Sequence, residues 1–385
     1  MSRKLLIFDS HPVQYKAPVY QQLAKLKPGA LKVAYCTDCS VRGHRDQDFG
    51  QVVAWDTPLL EGYESVVLNN ERGEPLKGAR SLTGRGVFRL LKNERPDAVL
   101  ISQFLYQADL AAYLSCLRLR IPIWIRHETQ DEAFRRRPWK RMLRSLAYRV
   151  IYSGVSHAFY IGQLNREHLL RHGMKEARLS FAPYCVDSPI PAMSAEAKAA
   201  MRREMRAKLG IRDGDTAVLF SGKLIQKKAP DLILDAFSRL SAERRAATRI
   251  VFLGSGIMVD ELKARAEQFP GSAIFPGFVN QRDLPGYYLA ADMLVLPSRR
   301  MGETWGLVVN EALHAGCCVI VSDAVGSHRE FGGWERVRVI KEEAADACAA
   351  AIEQLAKFPR SFDWCEKAME QYTVHAAASA IAAKL

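Results

Sequence analysis

Apolar positions along the chain fall into short, nearly continuous runs, each closed by turn residues and followed by a longer stretch with helical spacing. The first half carries KLLIF, LKVAY, DAVLIS, IPIWI, HAFYI and LSFAPY, and the second carries AVLFSG, RIVFLG, AIFPG, DMLVLPS and CCVIVSD. Strand alternating with helix implies parallel sheets with helices on both faces. The pattern predicts an α/β chain of two doubly wound, Rossmann-like domains facing each other across a cleft.

Between the halves lies PYCVDSPIPAMSAEAKAAMRREMRAKLGIRDGD, where prolines give way to a charged helix that Ser194 caps and Gly210 stops. The interdomain hinge is expected here, with an N-terminal domain over 1–190 and a C-terminal domain over 191–363. The last stretch, about 364–385, has a helical pattern and is expected to pack back on the first domain. In open α/β sheets ligands collect at the carboxyl ends of strands, so the cleft is the expected active site.

Composition supports a soluble globular chain: 48% of the 385 residues are hydrophobic and 25% charged, enough for two cores. The start MSRKLLIFDSHP holds no signal-peptide core, and no apolar run reaches the roughly 18 residues of a membrane-spanning helix. Eight cysteines lack a disulfide framework, which fits reduced thiols and a cytoplasmic setting. Cys36 and Cys39 form a CxxC with no second pair at zinc spacing, and read as structural.

The net charge of +13 is unevenly placed: residues 118–149 hold ten basic against three acidic side chains, a local +7. The basic stretch 135–149 interleaves its arginines with Trp139, Met142, Leu143 and Leu146. A helix of this kind can rest on an anionic membrane face or recruit a lipid-phosphate acceptor; the alternative is a solvated helix whose apolar side packs on its own domain. No nucleic-acid module is recognisable.

The chemistry concentrates in the second half. PSRRMGETWGLVVNEALHAG follows the strand DMLVL, with Glu303 in a loop and Glu311 eight positions on; eight helical steps span about 12 Å. A helix start around Thr304, Trp305, Gly306 and Leu307 would offer backbone amides to a phosphate, and a carboxylate on each side could accept from sugar and ribose hydroxyls. SGKLIQKKAPDLILDAF brings Gly222, Lys223 and Lys228 to another strand-to-helix loop, cations able to neutralise a departing diphosphate. Gly254, Gly256 and Gly277 stand at strand ends where backbone must approach a ligand closely. GSGIMV lacks the third glycine of a dinucleotide fingerprint.

In this order, these segments together with GFVNQRDLPGYYLAADMLVLPS resemble glycosyltransferase family 4, retaining group 1 enzymes of the GT-B fold that use nucleotide sugars without a metal. The resemblance implies that Glu303 holds donor-sugar hydroxyls near the reacting carbon, that Glu311 binds the ribose, and that Lys223 and Lys228 grip the diphosphate with the amides of Thr304 to Leu307. Gly277, Phe278 and Val279 would frame the base. His127, in IPIWIRHET, matches a histidine close to the donor sugar; the competing reading is a histidine satisfied at a strand end. The first loop, SHPVQYKAPVY, lacks the paired glycines frequent in the family but offers His11, Gln14, Tyr15 and Lys16 to the cleft. Lys223 stands where arginine is usual, a point charge in place of a planar fork, and Ala229 replaces a common glycine.

The expectation is therefore a metal-independent retaining glycosyltransferase without a cofactor. It would move sugar from a UDP- or GDP-sugar to a glycan or lipid-linked acceptor, in polysaccharide or lipid-linked glycan synthesis. The alternatives are an epimerase or hydrolase of nucleotide sugars on the same fold, and a non-catalytic glycan-binding partner.

Overall fold

The computed structural model describes residues 3–46, 51–53, 57–70 and 78–385. The first half contains β1 (Leu5–Asp9), β2 (Leu31–Tyr35), β3 (His44–Asp46), β4 (Gln51–Val53), β5 (Glu64–Val67), β6 (Ala98–Ile101), β7 (Ile123–Ile125), β8 (His157–Tyr160) and β9 (Leu179–Phe181). Seven of these make one parallel sheet in the order β5-β2-β1-β6-β7-β8-β9, while β3 and β4 pair as a separate antiparallel ribbon. The second half contains β10 (Thr216–Ser221), β11 (Thr248–Leu253), β12 (Ala273–Gly277), β13 (Met293–Leu296), β14 (Cys318–Ser322) and β15 (Val337–Ile340), parallel in the order β12-β11-β10-β13-β14-β15.

Each predicted apolar run is a strand because alternate residues feed different cores. Leu5 and Ile7 pack on one face of the first sheet and Leu6 and Phe8 on the other; Ala217 and Leu219 oppose Val218 and Phe220 in the second. Within the two parallel sheets the pattern missed β5 and β15. Both are edge strands: ESVV opens on exposed Glu64, and VRVI is interrupted by Arg338 beside exposed Val339, so they lack the continuous apolar signal of strands covered on both sides.

Chain order reverses at β1 in the first sheet and at β10 in the second, where consecutive connections leave toward opposite faces. A crevice opens at the carboxyl end of such a switch point. The four loops that flank the two crevices follow β1, β6, β10 and β13.

Ser194 Oγ accepts from Ala197 N at 3.2 Å, and Gly210 ends the same helix at φ +67°. The chain's final helix, Val374–Ala382, buries Ala377, Ala378, Ile381 and Ala382 in the core of the first sheet, whereas Cys365, Met369 and Tyr372 just before it belong to the core of the second. None of the eight cysteines forms a disulfide. Among the described residues no helix is long and apolar enough to cross a membrane.

The basic stretch forms the helix Pro138–Ser153, of which only Tyr152 is buried. Trp139, Met142, Leu143, Leu146 and Val150 are 53–68% exposed. These five side chains face solvent, while Tyr148, Ile151 and Tyr152 pack on the core of the first sheet.

Candidate functional site

The loops after β10 and β13 meet at the second switch point. The former winds into a 3-10 turn, Gln226–Lys228, and leaves it through Ala229 at φ +52°. A side chain in this left-handed region costs about 1–2 kcal/mol relative to glycine, and Ala229 occupies the position where the family pattern has glycine. Arg299 staples the loops together: its amide donates to Lys227 O at 2.8 Å, and its guanidinium reaches Gln226 O at 2.8 Å and Asp231 Oδ2 at 2.6 Å. This brings Lys228 Nζ to 2.6 Å and Lys227 Nζ to 4.0 Å from Glu303 Oε2. Burial opposes ionisation of Glu303, but Lys228 and Lys227, with hydrogen bonds from Lys228 and Ser298, outweigh it and hold the carboxyl below its ordinary pKa. Lys223 lies partly buried in the same loop.

The helix after Glu303 starts later than expected, spanning only Val308–His314. Gly306 at φ +89° interrupts helical geometry, and the Trp305 side chain turns into the core, where Nε1 donates to Asn310 Oδ1 at 2.8 Å. The twelve-ångström span estimated for a continuous helix therefore does not apply. Among the described residues, the amides of Thr304 to Leu307 donate to no other main-chain group.

Glu311 lines the larger of two cavities, about 500 Å³, together with Gly222, Gly254, Phe278, Val279 and Leu307 from the second half and Gln14 and Tyr15 from the first. Burial pushes its carboxyl up to about 7, against the pull of a hydrogen bond from the Tyr288 hydroxyl at 2.5 Å. The glycines bring strand ends together as well as lining the cavity. A Cβ on Gly254 would stand 1.9 Å from Gly222 O, and one on Gly256 2.4 Å from Leu224 O. Gly277, at φ +85°, accepts from Gly254 N at 2.9 Å.

A second cavity of about 290 Å³ lies on the first half's side, with Tyr15, Lys16, Ser102, His127, Glu128 and Thr304 in its wall. Lys16 Nζ pairs with Asp9 at 3.0 Å and reaches Ser102 Oγ at 3.3 Å. His11 bonds Ser10 Oγ at 2.9 Å and lines neither cavity. Glu303, Lys223 and Lys228 also lie outside these two walls.

His127 is the end of a buried hydrogen-bond chain. Asp131 Oδ1 lies 2.9 Å from His168 Nδ1, His168 Nε2 lies 2.9 Å from the Tyr152 hydroxyl, and that hydroxyl lies 3.1 Å from His127 Nε2. Asp131 can only accept, so Nδ1 of His168 carries the proton. Its Nε2 then accepts from Tyr152, whose oxygen accepts from His127 Nε2–H. Thr129 N donates to His127 Nδ1 at 3.3 Å. Both ring nitrogens are thus engaged inside the protein, and burial pushes His127 down to about 3, so it stays neutral. Asp131, His168 and His172 could each turn a donor atom toward one point, but Asp131 already takes Arg144 at 2.6 Å and Arg171 at 2.9 Å.

Sequence reasoning missed the residues that tie the halves together. Thr304 Oγ1 donates to Glu128 Oε2 at 2.9 Å, Gly302 N to Ala133 O at 2.8 Å, and Asn310 Nδ2 to Tyr184 O at 3.1 Å. HET and NEAL contain Glu128 and Asn310, but nothing local marks them as partners of residues more than a hundred positions away.

Two parallel sheets whose switch-point loops face each other across paired cavities define a GT-B protein. A solved structure with this architecture, Anabaena Alr3699/HepE in complex with UDP and glucose, superposes with a TM-score of 0.64 at 16% identity over 100% of this chain and 95% of that one. Residues 201–371 match the family model for glycosyl transferases group 1. An uncharacterized glycosyltransferase of Methanocaldococcus jannaschii, MJ1607, is 33% identical over 136 residues, 34% of each chain. Alpha-monoglucosyldiacylglycerol synthase of Streptococcus pneumoniae is 32% identical over 120 residues, 31% of this chain and 26% of that protein. The matches thus span about a third or less of these relatives.

Proposed function

We propose that the protein transfers a sugar, with retention at the anomeric carbon, from a UDP- or GDP-sugar to a hydroxyl of a glycan or lipid-linked acceptor. No metal or cofactor takes part. In this reading residues 191–363 hold the donor and 1–190 the acceptor, with the tail about 364–385 returning to the first domain. The observation that carries it is the Lys228–Glu303 pair, followed in the chain by amides at Thr304 to Leu307 that, among the described residues, donate to no main-chain group, with Leu307 and Glu311 in the wall of one cavity.

The diphosphate takes Lys228, Lys223 and those amides, while Glu311 accepts from the ribose, Phe278 and Val279 face the base, and Glu303 takes sugar hydroxyls. The acceptor oxygen bonds to the anomeric carbon on the face from which the phosphate oxygen departs, and its proton passes to that oxygen as the nucleoside diphosphate leaves. His127 acts through its ring edge and its loop, since its nitrogens are occupied. Charge developing on the leaving group is what fixed donors and cations stabilise most.

The exposed face of Pro138–Ser153, with its arginines, supports work at the cytoplasmic face of an anionic membrane. Incubation with labelled UDP- and GDP-sugars tests the whole reading. Label that appears in a second molecule supports transfer; label that stays in an isomerised or hydrolysed donor refutes it in favour of an epimerase or hydrolase.

A further inference from the structure

The smaller cavity carries more positive charge than its own carboxylates neutralise. Among the described residues its wall contains Lys16, Arg126, Arg136 and Arg144 but only one acidic side chain, Glu128. Lys16 is matched by Asp9 and Arg144 by Asp131, both from behind the wall. Arg126 is spent on the carbonyls of Ala182 and Pro183. Arg136 differs: among the described residues no carboxylate pairs with it, its guanidinium sits 4.8 Å over the Phe134 ring, and its one hydrogen bond, to Asp131 O, is stretched to 3.5 Å.

Partial burial and the neighbouring Arg144 both disfavour the charge on Arg136 and lower its pKa. A bound anion would relieve both effects, because guanidinium forks take phosphate through paired, charge-assisted hydrogen bonds. At the same cavity Glu128 and Thr304 stand toward the donor half, hydrogen-bonded to each other at 2.9 Å. A molecule held here by an anionic group can thus present a hydroxyl toward the donor loops. Leu105 and Phe134, which also line the cavity, are 60% and 46% exposed and give it an apolar rim.

We propose that this cavity is a phosphate subsite for the acceptor, with Arg136 as the residue that reads the phosphate and Arg144 reinforcing it. The proposal rests on the transferase reading above and adds the acceptor's chemical class, a phosphate ester bearing a hydroxyl. The phosphate belongs either to a soluble sugar phosphate or to a lipid headgroup.

The test is calorimetric titration of the full chain, saturated with UDP so that the diphosphate site is filled. The probes are inorganic phosphate, dodecyl phosphate and the neutral dodecyl glucoside. Both phosphate probes are expected to bind, and Arg136→Gln to weaken them about ten-fold or more, with Arg136→Lys recovering part of the loss. Arg136 supports little of the fold, and unchanged UDP binding in the variant verifies that the protein is intact.

Arg149→Gln, on the helix that carries Arg144 but outside the cavity wall, is expected to leave phosphate binding unchanged. Dodecyl phosphate binding far more tightly than inorganic phosphate identifies a lipid source, and equal affinities a soluble one. The phosphate subsite is overturned if Arg136→Gln has no effect, if Arg149→Gln weakens binding equally, or if dodecyl glucoside binds as well as dodecyl phosphate. Failure to bind UDP or GDP would instead refute the transferase reading, while the same phosphate titrations without nucleotide still decide whether Arg136 holds an anion.

Discussion

Lys228 Nζ lies 2.6 Å from Glu303 Oε2, joining residues seventy-five positions apart at the end of the central strand β10 and its neighbour β13. The lysine's charge is held by the glutamate. In the proposed transfer reaction a diphosphate would share the lysine while the glutamate turns to sugar hydroxyls.

Lys228→Ala leaves the buried Glu303 carboxylate with Lys227 at 4.0 Å as its nearest cation. Breaking such a pair from one side costs about 3 kcal/mol, read as a lower denaturant midpoint. Sugar transfer is expected to fall about 100-fold or more. Lys228→Ala with Glu303→Gln recovers part of the stability and none of the activity; a double variant that transfers normally refutes both catalytic assignments.

Burial raises the Glu311 carboxyl from an ordinary 4.5 to about 7. Over that interval the folded chain keeps a proton that the unfolded chain has lost, so stability declines as pH rises from 4.5 to about 7 and levels off above. Glu311→Gln should flatten that slope. Ribose hydroxyls donating to the carboxylate favour its charged form, so UDP binding near neutral pH should release a proton. Calorimetry in buffers of different ionisation enthalpy measures this release, and its absence argues against a ribose contact.

Gly254 has φ +142°, and its Cα faces Gly222 O so closely that an added methyl would stand at 1.9 Å. Gly254→Ala must separate the ends of β10 and β11, which form the floor of the larger cavity. Nucleotide binding, followed by thermal shift, should disappear, with a stability loss of about 1–3 kcal/mol. Retained UDP binding would mean that this close approach is dispensable.

Tyr152→Phe removes the hydroxyl that joins His127 to His168. Two buried ring nitrogens lose their partner, at a cost of about 1–3 kcal/mol in unfolding free energy. The acceptor KM is expected to rise more than kcat falls, because the loop 127–137 borders the acceptor cavity while the donor loops are untouched.

Leu146→Asp together with Met142→Asp puts charge on the exposed face of Pro138–Ser153. Co-sedimentation with phosphatidylglycerol vesicles should drop about ten-fold or more, with activity on a soluble acceptor preserved. Equal vesicle binding by the variant would remove the membrane reading.

Strand-forming runs such as DMLVL and AVLFS were legible from their apolar continuity, as were the cap at Ser194, the stop at Gly210 and the loops that carry Glu303 and Lys228. These features are local: each depends on neighbours within a few positions. The edge strands ESVV and VRVI escaped because their environment is one-sided, and the helix beyond Glu303 was drawn too long because Trp305 is turned into the core by Asn310.

The sequence by itself therefore determined the two-sheet α/β architecture and the loops that meet after β10 and β13. Only the tertiary structure decided that His127 faces Tyr152 with both nitrogens occupied, that Glu128 meets Thr304 across the cleft, and that Arg136 pairs with no carboxylate among the described residues. These depend on which side chains two distant loops bring within a few ångströms, and periodicity along one strand or helix carries no information about that.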